Sequence, residues 1–251
     1  MNYRFAITRE PGQTYNKCLS EHPLKFDVHI GRARRQHVKY KEVIASLGLQ
    51  IISLPRDDNL PDSCFVEDTV VVHKKKAFIT RTGAESRRQE GLGVEEVLKR
   101  YIQISRAVEP ATIEGGDVVH LNDRLISGIT QRTNIEGVRQ MSKWLNVRVD
   151  TITNPNMMHL KSYVTNIDRK TMLVTSDVVD HPILQSFRKI VVPDHEKYAA
   201  NSLTINNVVI MAATRPDSIE LVKEAGYEVI PVDVSEFEKC DGALTCLSVL
   251  F

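Results

Sequence analysis

The sequence has 251 residues, 42% of them hydrophobic and 26% charged, with 33 Lys and Arg against 32 Asp and Glu. This is the composition of an ordinary globular chain. A formal net charge of +1 leaves no global field to draw it to nucleic acid or an anionic membrane, and no apolar run approaches the roughly 18 residues of a membrane span. The N-terminal MNYRFAITREPG lacks a signal-peptide pattern, and Cys18, Cys64, Cys240 and Cys246 include no CxxC pair, so free thiols in a cytoplasmic setting are expected.

In chain order, FAIT (5–8) reads as a strand, followed by a helix over about 34–47 and a strand at LQIISL (49–54). TVVVHKKKAFIT (69–80) is a hairpin signal turning at Lys74–Lys76. Val94, Val97, Leu98 and Tyr101 then share a helix face, and YIQIS (101–105) is a third strand. DVVHLNDRLISG (117–128) turns at Asn122–Asp123. A helix bearing Ile135, Val138, Met141 and Leu145 follows, with Thr133 and Glu136 spaced as a capping box, and then VRVDTI (147–152). SYVTNIDRKTMLVT (162–175) turns near Asp168–Lys170 and leads to a helix at Ile183–Phe187 and KIVVP (189–193). SLTINNVVIMAA (202–213) turns at Asn206–Asn207. A helix over Ile219–Ala225, opened by Pro216 and stopped at Gly226, leads to YEVIPV (227–232). LTCLSVLF (244–251) is left over as a strand, with Cys246 on it.

This amounts to five strand–strand–helix–strand units of about 45 residues, the fifth split between the termini; the alternative is a generic α/β sheet without true repetition. Chemically loaded residues precede the first strand of each unit: Glu67-Asp68, Glu114-Gly115-Gly116-Asp117, His159, Asn201, and Asp241 with Cys246. Glu67, Glu114, His159, Asn201 and Cys246 are separated by 47, 45, 42 and 45 positions. Around a pseudo-fivefold axis, equivalent positions would meet at one central hole.

A thiol, an imidazole and a carboxylate brought together are the parts of an activated cysteine nucleophile. Taken singly, Cys246 would be a small buried hydrophobe, and the acids solvated loop residues. Grouped, Glu67, Asp68, Glu114, Asp117 and Asp241 require a cation, because unpaired buried carboxylates are too costly. One cysteine and one histidine lack zinc-site spacing, so no metal is expected. A planar guanidinium fits, since its N–H fork matches carboxylates in paired bonds and its central carbon is open to a thiolate.

FVEDTVVV (65–72), TIEGGDV (112–118), MHLKSY (158–163) and DGALTCLSVL (241–250) together resemble the dimethylarginine dimethylaminohydrolase family of the guanidine-modifying pentein superfamily, from about residue 26 onward. The resemblance implies an α/β fold, a five-bladed ββαβ propeller forming one catalytic domain over 1–251. It also implies hydrolysis of Nω-methylated arginine to citrulline and an alkylamine without a cofactor. It places the nucleophile at Cys246, the proton-shuttling histidine at His159 and its orienting acid at Glu114. Guanidinium-binding acids fall on Asp62, Glu67 and Asp68, and contacts to the substrate's α-groups on Arg81, Arg132 and Asp241. Arginine deiminases of the same superfamily carry an aspartate two residues after the histidine, where this chain has Lys161, which favours methylated substrates. Gln131 stands where many relatives have lysine, and PGQTYNKCLSEHP (11–23) matches the family's flap poorly, so no flap residue is transferred.

Two rivals are a deiminase of arginine or agmatine type releasing ammonia with the same triad, and a non-catalytic pentein serving as a binding scaffold. Against the scaffold, Lys74–Lys76 and Arg87–Arg88 are short runs that read as solvated turns and helix surface rather than a basic face. A papain-like protease is disfavoured because Cys246 does not open a helix. The expected partner is a small cationic guanidine, with no nucleic acid or membrane and with a homodimer left open.

Overall fold

The structure, a computed structural model, describes residues 3–121 and 123–251. Five three-stranded sheets are present, and all share one topology: the middle strand runs antiparallel to one neighbour and parallel to the other. Phe5–Arg9 lies between Val249–Leu250 and Gln50–Leu54, and helix α1 (Ile30–Ser46) makes the crossover. Lys76–Ile79 lies between Val70–His73 and Gln103–Arg106, with α2 (Leu92–Leu98). Arg124–Ile129 lies between Val118–His120 and Arg148–Thr153, with α3 (Ile135–Leu145). Thr171–Val174 lies between Val164–Asn166 and Arg188–Val191. Val208–Ala212 lies between Leu203–Ile205 and Glu228–Val232, with α4 (Pro216–Glu224). The split fifth unit is therefore real, since strands from the two termini pair.

Local chemistry explains most of these elements. Asn206 and Asn207 both adopt positive φ (50° and 68°), the left-handed pair that matches a hairpin's twist. Lys74 (φ 55°) serves the first hairpin, whereas Asn122 of the second turn lies outside the described residues. In α3, Val138, Met141 and Leu145 are buried, and Met141 and Leu145 pack with Val71, Phe78 and Ile113. The expected capping box is not used. Asn134 is the cap, accepting from Gly137 N–H, which frees the Thr133 hydroxyl for Asp117 and turns Ile135 out to 65% exposure. The expected fourth helix is only a 3-10 turn, Pro182–Leu184, in the link from Val174 to Arg188.

A short 3-10 turn precedes the first strand of every sheet: Val66–Thr69, Gly115–Asp117, Leu160–Ser162, Asp194–Ala200 and Thr245–Leu247. This corrects the strand expected around Cys246. Only Val249 and Leu250 pair with the sheet, and the Cys246 amide instead bonds the Ala243 carbonyl. The turns, or in one case the strand that follows, are bonded one to the next. Gly116 N–H donates to Asp68, Leu160 N–H to Asp117 and the Thr165 hydroxyl to Ala200 O. Asn201 Nδ2 donates to Thr245 Oγ1, whose own hydroxyl donates to Glu67 back in the first turn.

Cys18 and Cys240, expected as free thiols, form a disulfide, while Cys64 and Cys246 are free. Residues 11–28 explain the pairing. They fold back through two turns, Tyr15–Lys17 and Lys25–Asp27, and bury Tyr15 beside Phe65 and Phe237, which brings Cys18 against the loop after the short helix α5 (Ser235–Glu238). No helix among the described residues is long and apolar enough to cross a membrane.

Candidate active site

The 3-10 turns bring Asp68, Glu114 and His159 together. Glu114 and His159 each sit in extended backbone immediately before a turn, so both side chains project from the same end of their units. His159 Nε2 is 2.6 Å from Glu114 Oε2 and 3.8 Å from Asp68 Oδ1. Gly83 N–H holds the other Glu114 oxygen at 2.9 Å. A Cβ on Gly116 would lie 2.8 Å from His159 Nδ1 and 2.9 Å from Asp68 Oδ1, so only glycine leaves the imidazole its place. Burial alone would lower the His159 pKa, but Asp68, Glu114 and Asp117 outweigh it and raise it to about 9; the ring is an imidazolium at neutral pH.

Cys246 is buried in the Thr245–Leu247 turn. Burial, with the negative charges of Asp68 and Glu67, pushes its thiol far above the usual cysteine range. In the resting site it is therefore a neutral thiol, and a cation arriving beside it would lower its pKa. Asp68, whose charge acts on Cys246, is itself ionised and bonded through both oxygens. Burial favours its neutral form, but His159 and Arg87 hold its carboxyl below the usual range. Its position is fixed by Gly116 N–H at 3.1 Å and Arg87 Nη1 at 3.0 Å.

Arg87, expected on a solvated surface, is instead a buried cation of the site. Its guanidinium bonds Asp68 and Glu90 and lies 3.8 Å from Glu114, which explains why so many acids coexist here. Burial raises the Glu90 pKa to about 7 against the pull of Arg87. The spacing from Arg87 to Glu90 was the one sequence signal, an i,i+3 pair that looks identical on a surface.

The other expected residues divide. Glu67 does not present a free carboxylate. Lys161 Nζ holds one of its oxygens at 2.6 Å and Thr245 the other, also at 2.6 Å. Asp62 is buried, with its pKa raised by that burial; Leu19 N–H bonds both oxygens at 3.2 Å, and no Lys or Arg among the described residues closes an ion pair with it. Arg132 is half-buried, and its charge acts on Asp62. Asp241 is exposed, with φ 54°, and accepts from Glu21 N–H. Arg81 turns its guanidinium toward Glu109 and the Ala111 carbonyl. The strap contacts of Leu19 and Glu21 were invisible in the sequence because backbone amides make them.

Asp68, Glu114 and His159 present donor atoms within 4.8 Å of one another, close enough for a metal ion. Arg87 already supplies positive charge to both carboxylates, and the imidazolium form of His159 opposes ligation. On the surface, His195, Glu196 and Asp217 are similarly close, but the Glu196 carboxylate is spent on the Asp217 and Ser218 amides at the start of α4.

A sequence model of the arginine deiminase family matches residues 56–192. Over 99% of this chain and all of the relative, the sequence is 36% identical to N(G),N(G)-dimethylarginine dimethylaminohydrolase of Pseudomonas aeruginosa. The chain belongs to the arginine deiminase family and, within it, to the dimethylarginine dimethylaminohydrolases. The Streptomyces coelicolor enzyme of the same name is 37% identical over 97% of this chain and 95% of its own. A solved Pseudomonas aeruginosa structure, a cysteine-to-serine mutant complexed with citrulline, superposes with a TM-score of 0.96 at 35% identity, covering both chains fully. The N-terminal domain of the cyanobacterial arginine dihydrolase ArgZ superposes at 0.88 with 18% identity, a likeness of fold alone.

Proposed function

We propose that this chain hydrolyses Nω-methylated arginine to citrulline and an alkylamine, with Cys246 as nucleophile, His159 as acid and base, and Glu114 as the residue that orients His159. The observation that carries this reading is the buried 2.6 Å His159–Glu114 pair beside Asp68, in a chain similar over its whole length to enzymes of that name. A solved structure of dimethylarginine dimethylaminohydrolase with histidine replaced by glycine is an adduct with S-methyl-L-thiocitrulline, which supports covalent chemistry at such a site.

In the proposed reaction the substrate guanidinium lies against Asp68 and Asp62, and its charge lowers the pKa of Cys246 so that the thiol proton passes to solvent water. The thiolate adds to the guanidinium carbon. The His159 imidazolium then protonates the departing methylamine, leaving an S-alkylthiouronium on Cys246. Neutral His159 takes a proton from water, which attacks; collapse expels the Cys246 thiolate and releases citrulline. Water is the only co-reactant. Arg132 and Asp241 are assigned to the substrate's α-groups, since one acts on Asp62 and the other anchors the strap. Arg81 is the weakest of the transferred contacts because its guanidinium is occupied elsewhere. Lys161, where deiminases have an aspartate, is tied to Glu67 and adds no carboxylate, which favours a methylated guanidinium over arginine.

The bonds running from turn to turn and back to Glu67 support closure of the five sheets as one five-bladed propeller domain over residues 1–251. A cytoplasmic setting suits a small metabolite substrate. The Cys18–Cys240 bond runs against it, and thiol titration of freshly extracted protein decides the point. The function itself is tested with a panel of asymmetric dimethylarginine, monomethylarginine, arginine and agmatine, following ureido product and released amine. Methylated arginines should be turned over to citrulline, and activity confined to arginine with ammonia release would replace this reading with a deiminase.

A further inference from the structure

Asp117 lies fully buried one turn from Glu114, and the proposed reaction gives it no chemical step. All its acceptor capacity points at the two units that carry His159 and Glu114. Oδ1 accepts the Leu160 amide at 2.8 Å, directly after His159 in the chain. Oδ2 accepts two hydroxyls, Thr130 at 2.8 Å and Thr133 at 2.6 Å. With its proton committed to Asp117, the Thr133 hydroxyl turns a lone pair toward the Glu114 amide, 3.1 Å away. One carboxylate thus fixes the backbone of both members of the 2.6 Å pair, through one bond on the histidine side and a two-bond relay on the acid side. The packing leaves no slack, since a Cβ on Gly128 would come within 2.6 Å of Asp117 Oδ1.

We propose that Asp117 is a positioning residue for the His159–Glu114 pair, acting through the Leu160 amide and the Thr133 hydroxyl. It does not touch the substrate. Its function is to hold imidazole and carboxylate at the separation the proton transfers require, and its negative charge adds to the field at His159. The charged groups facing His159 are Asp68, Glu114 and Asp117, with Arg87 behind the first two. Removing the Asp117 charge therefore shifts the balance toward the neutral ring. This inference rests on the reading of His159 and Glu114 as a proton-transfer pair.

The test compares Asp117→Asn, Thr133→Val and Thr133→Ser with the unaltered enzyme. It uses kcat and KM on asymmetric dimethylarginine and NMR titration of the His159 ring in the free protein. Thr133→Val removes the relay hydroxyl at nearly constant volume, whereas Thr133→Ser retains it, so this pair carries the test if Asp117→Asn fails to fold. A misplacement of this kind costs roughly 10²-fold in rate. We expect Asp117→Asn and Thr133→Val to lose kcat on that scale with KM little changed, and Thr133→Ser to retain activity. The His159 titration should move down in Asp117→Asn. Equal kcat in the valine and serine variants overturns the proposal, as does an unmoved His159 titration in a folded Asp117→Asn protein. If the unaltered enzyme turns over no guanidine, the underlying reading of the site has failed instead, and the NMR titration still reports on Asp117 independently.

Discussion

At the scale of single residues, the site is a set of charges whose protonation is settled by neighbours. His159 is the clearest case, because its folded pKa of about 9 exceeds the roughly 6.5 of an unfolded chain. A raised pKa contributes stability that is present in full below pH 6.5 and lost as pH rises through 9. Asp117, raised from 3.8 to about 6 by burial against the opposing charge of His159, and Glu90, raised from 4.5 to about 7, lose their contribution as pH rises through these lower ranges, so the fall above pH 7 belongs to His159. The melting temperature should therefore fall between pH 6.5 and 9, with His159 alone contributing on the order of 3 kcal/mol. His159→Asn should flatten that slope, and parallel curves for the two proteins would refute the assignment. The sequence marked Cys246, His159 and Glu114 because a thiol, an imidazole and an acid recur in phase. It hid Arg87, because an arginine beside a second arginine, three before a glutamate, reads as surface until Asp68 and Glu114 are folded around it.

At the scale of elements, the strap 11–28 is tied to the loop at 236–241 and to Asp62 by a covalent fastening and several polar ones. Besides Cys18–Cys240, Ser20 Oγ bonds Lys239 O, Lys239 Nζ bonds Asp27 O, and Leu19 and Glu21 present amides to Asp62 and Asp241. The bridge spans 222 positions, so cutting it frees nearly the whole unfolded chain, a change usually worth about 2–4 kcal/mol. Cys18→Ser, or reduction with a dithiol, should lower the melting temperature by about 5–10 °C. An unchanged melt under reducing conditions would show that the polar contacts suffice. Hairpins and crossover strands were legible because two-residue alternation and Asn or Lys turns are local signals. The turn holding Cys246 was not, since LTCLSVLF alternates like a strand and only its last residues find a partner in the sheet. The strap was equally opaque, being held by backbone amides and a long-range disulfide that no local pattern announces.

At the scale of the whole molecule, five three-stranded sheets of one topology among the described residues each follow a 3-10 turn, and the turns carry unlike side chains. The first turn supplies Asp68, which the proposed reaction sets against the guanidinium, and Glu67, which is paired with Lys161. The second supplies Glu114 and its support Asp117, and the third His159. Asn201, ending the fourth, clamps Thr245 through both backbone and side chain, next to Cys246 in the fifth. Near-neutral overall charge conceals this concentration of acids, which the buried cations Arg87 and Lys161 only partly offset; in the proposed reaction a guanidinium substrate completes the balance beside Asp68 and Asp62. The central claim, covalent attack by Cys246 on that guanidinium, is met most directly by rapid acid quench during turnover of asymmetric dimethylarginine, followed by peptide mass mapping. The account predicts a transient adduct, of the substrate's mass less dimethylamine, on the C-terminal peptide containing Cys246, and no turnover in Cys246→Ser. Turnover with the adduct on Cys64, or undiminished turnover in Cys246→Ser, would contradict it.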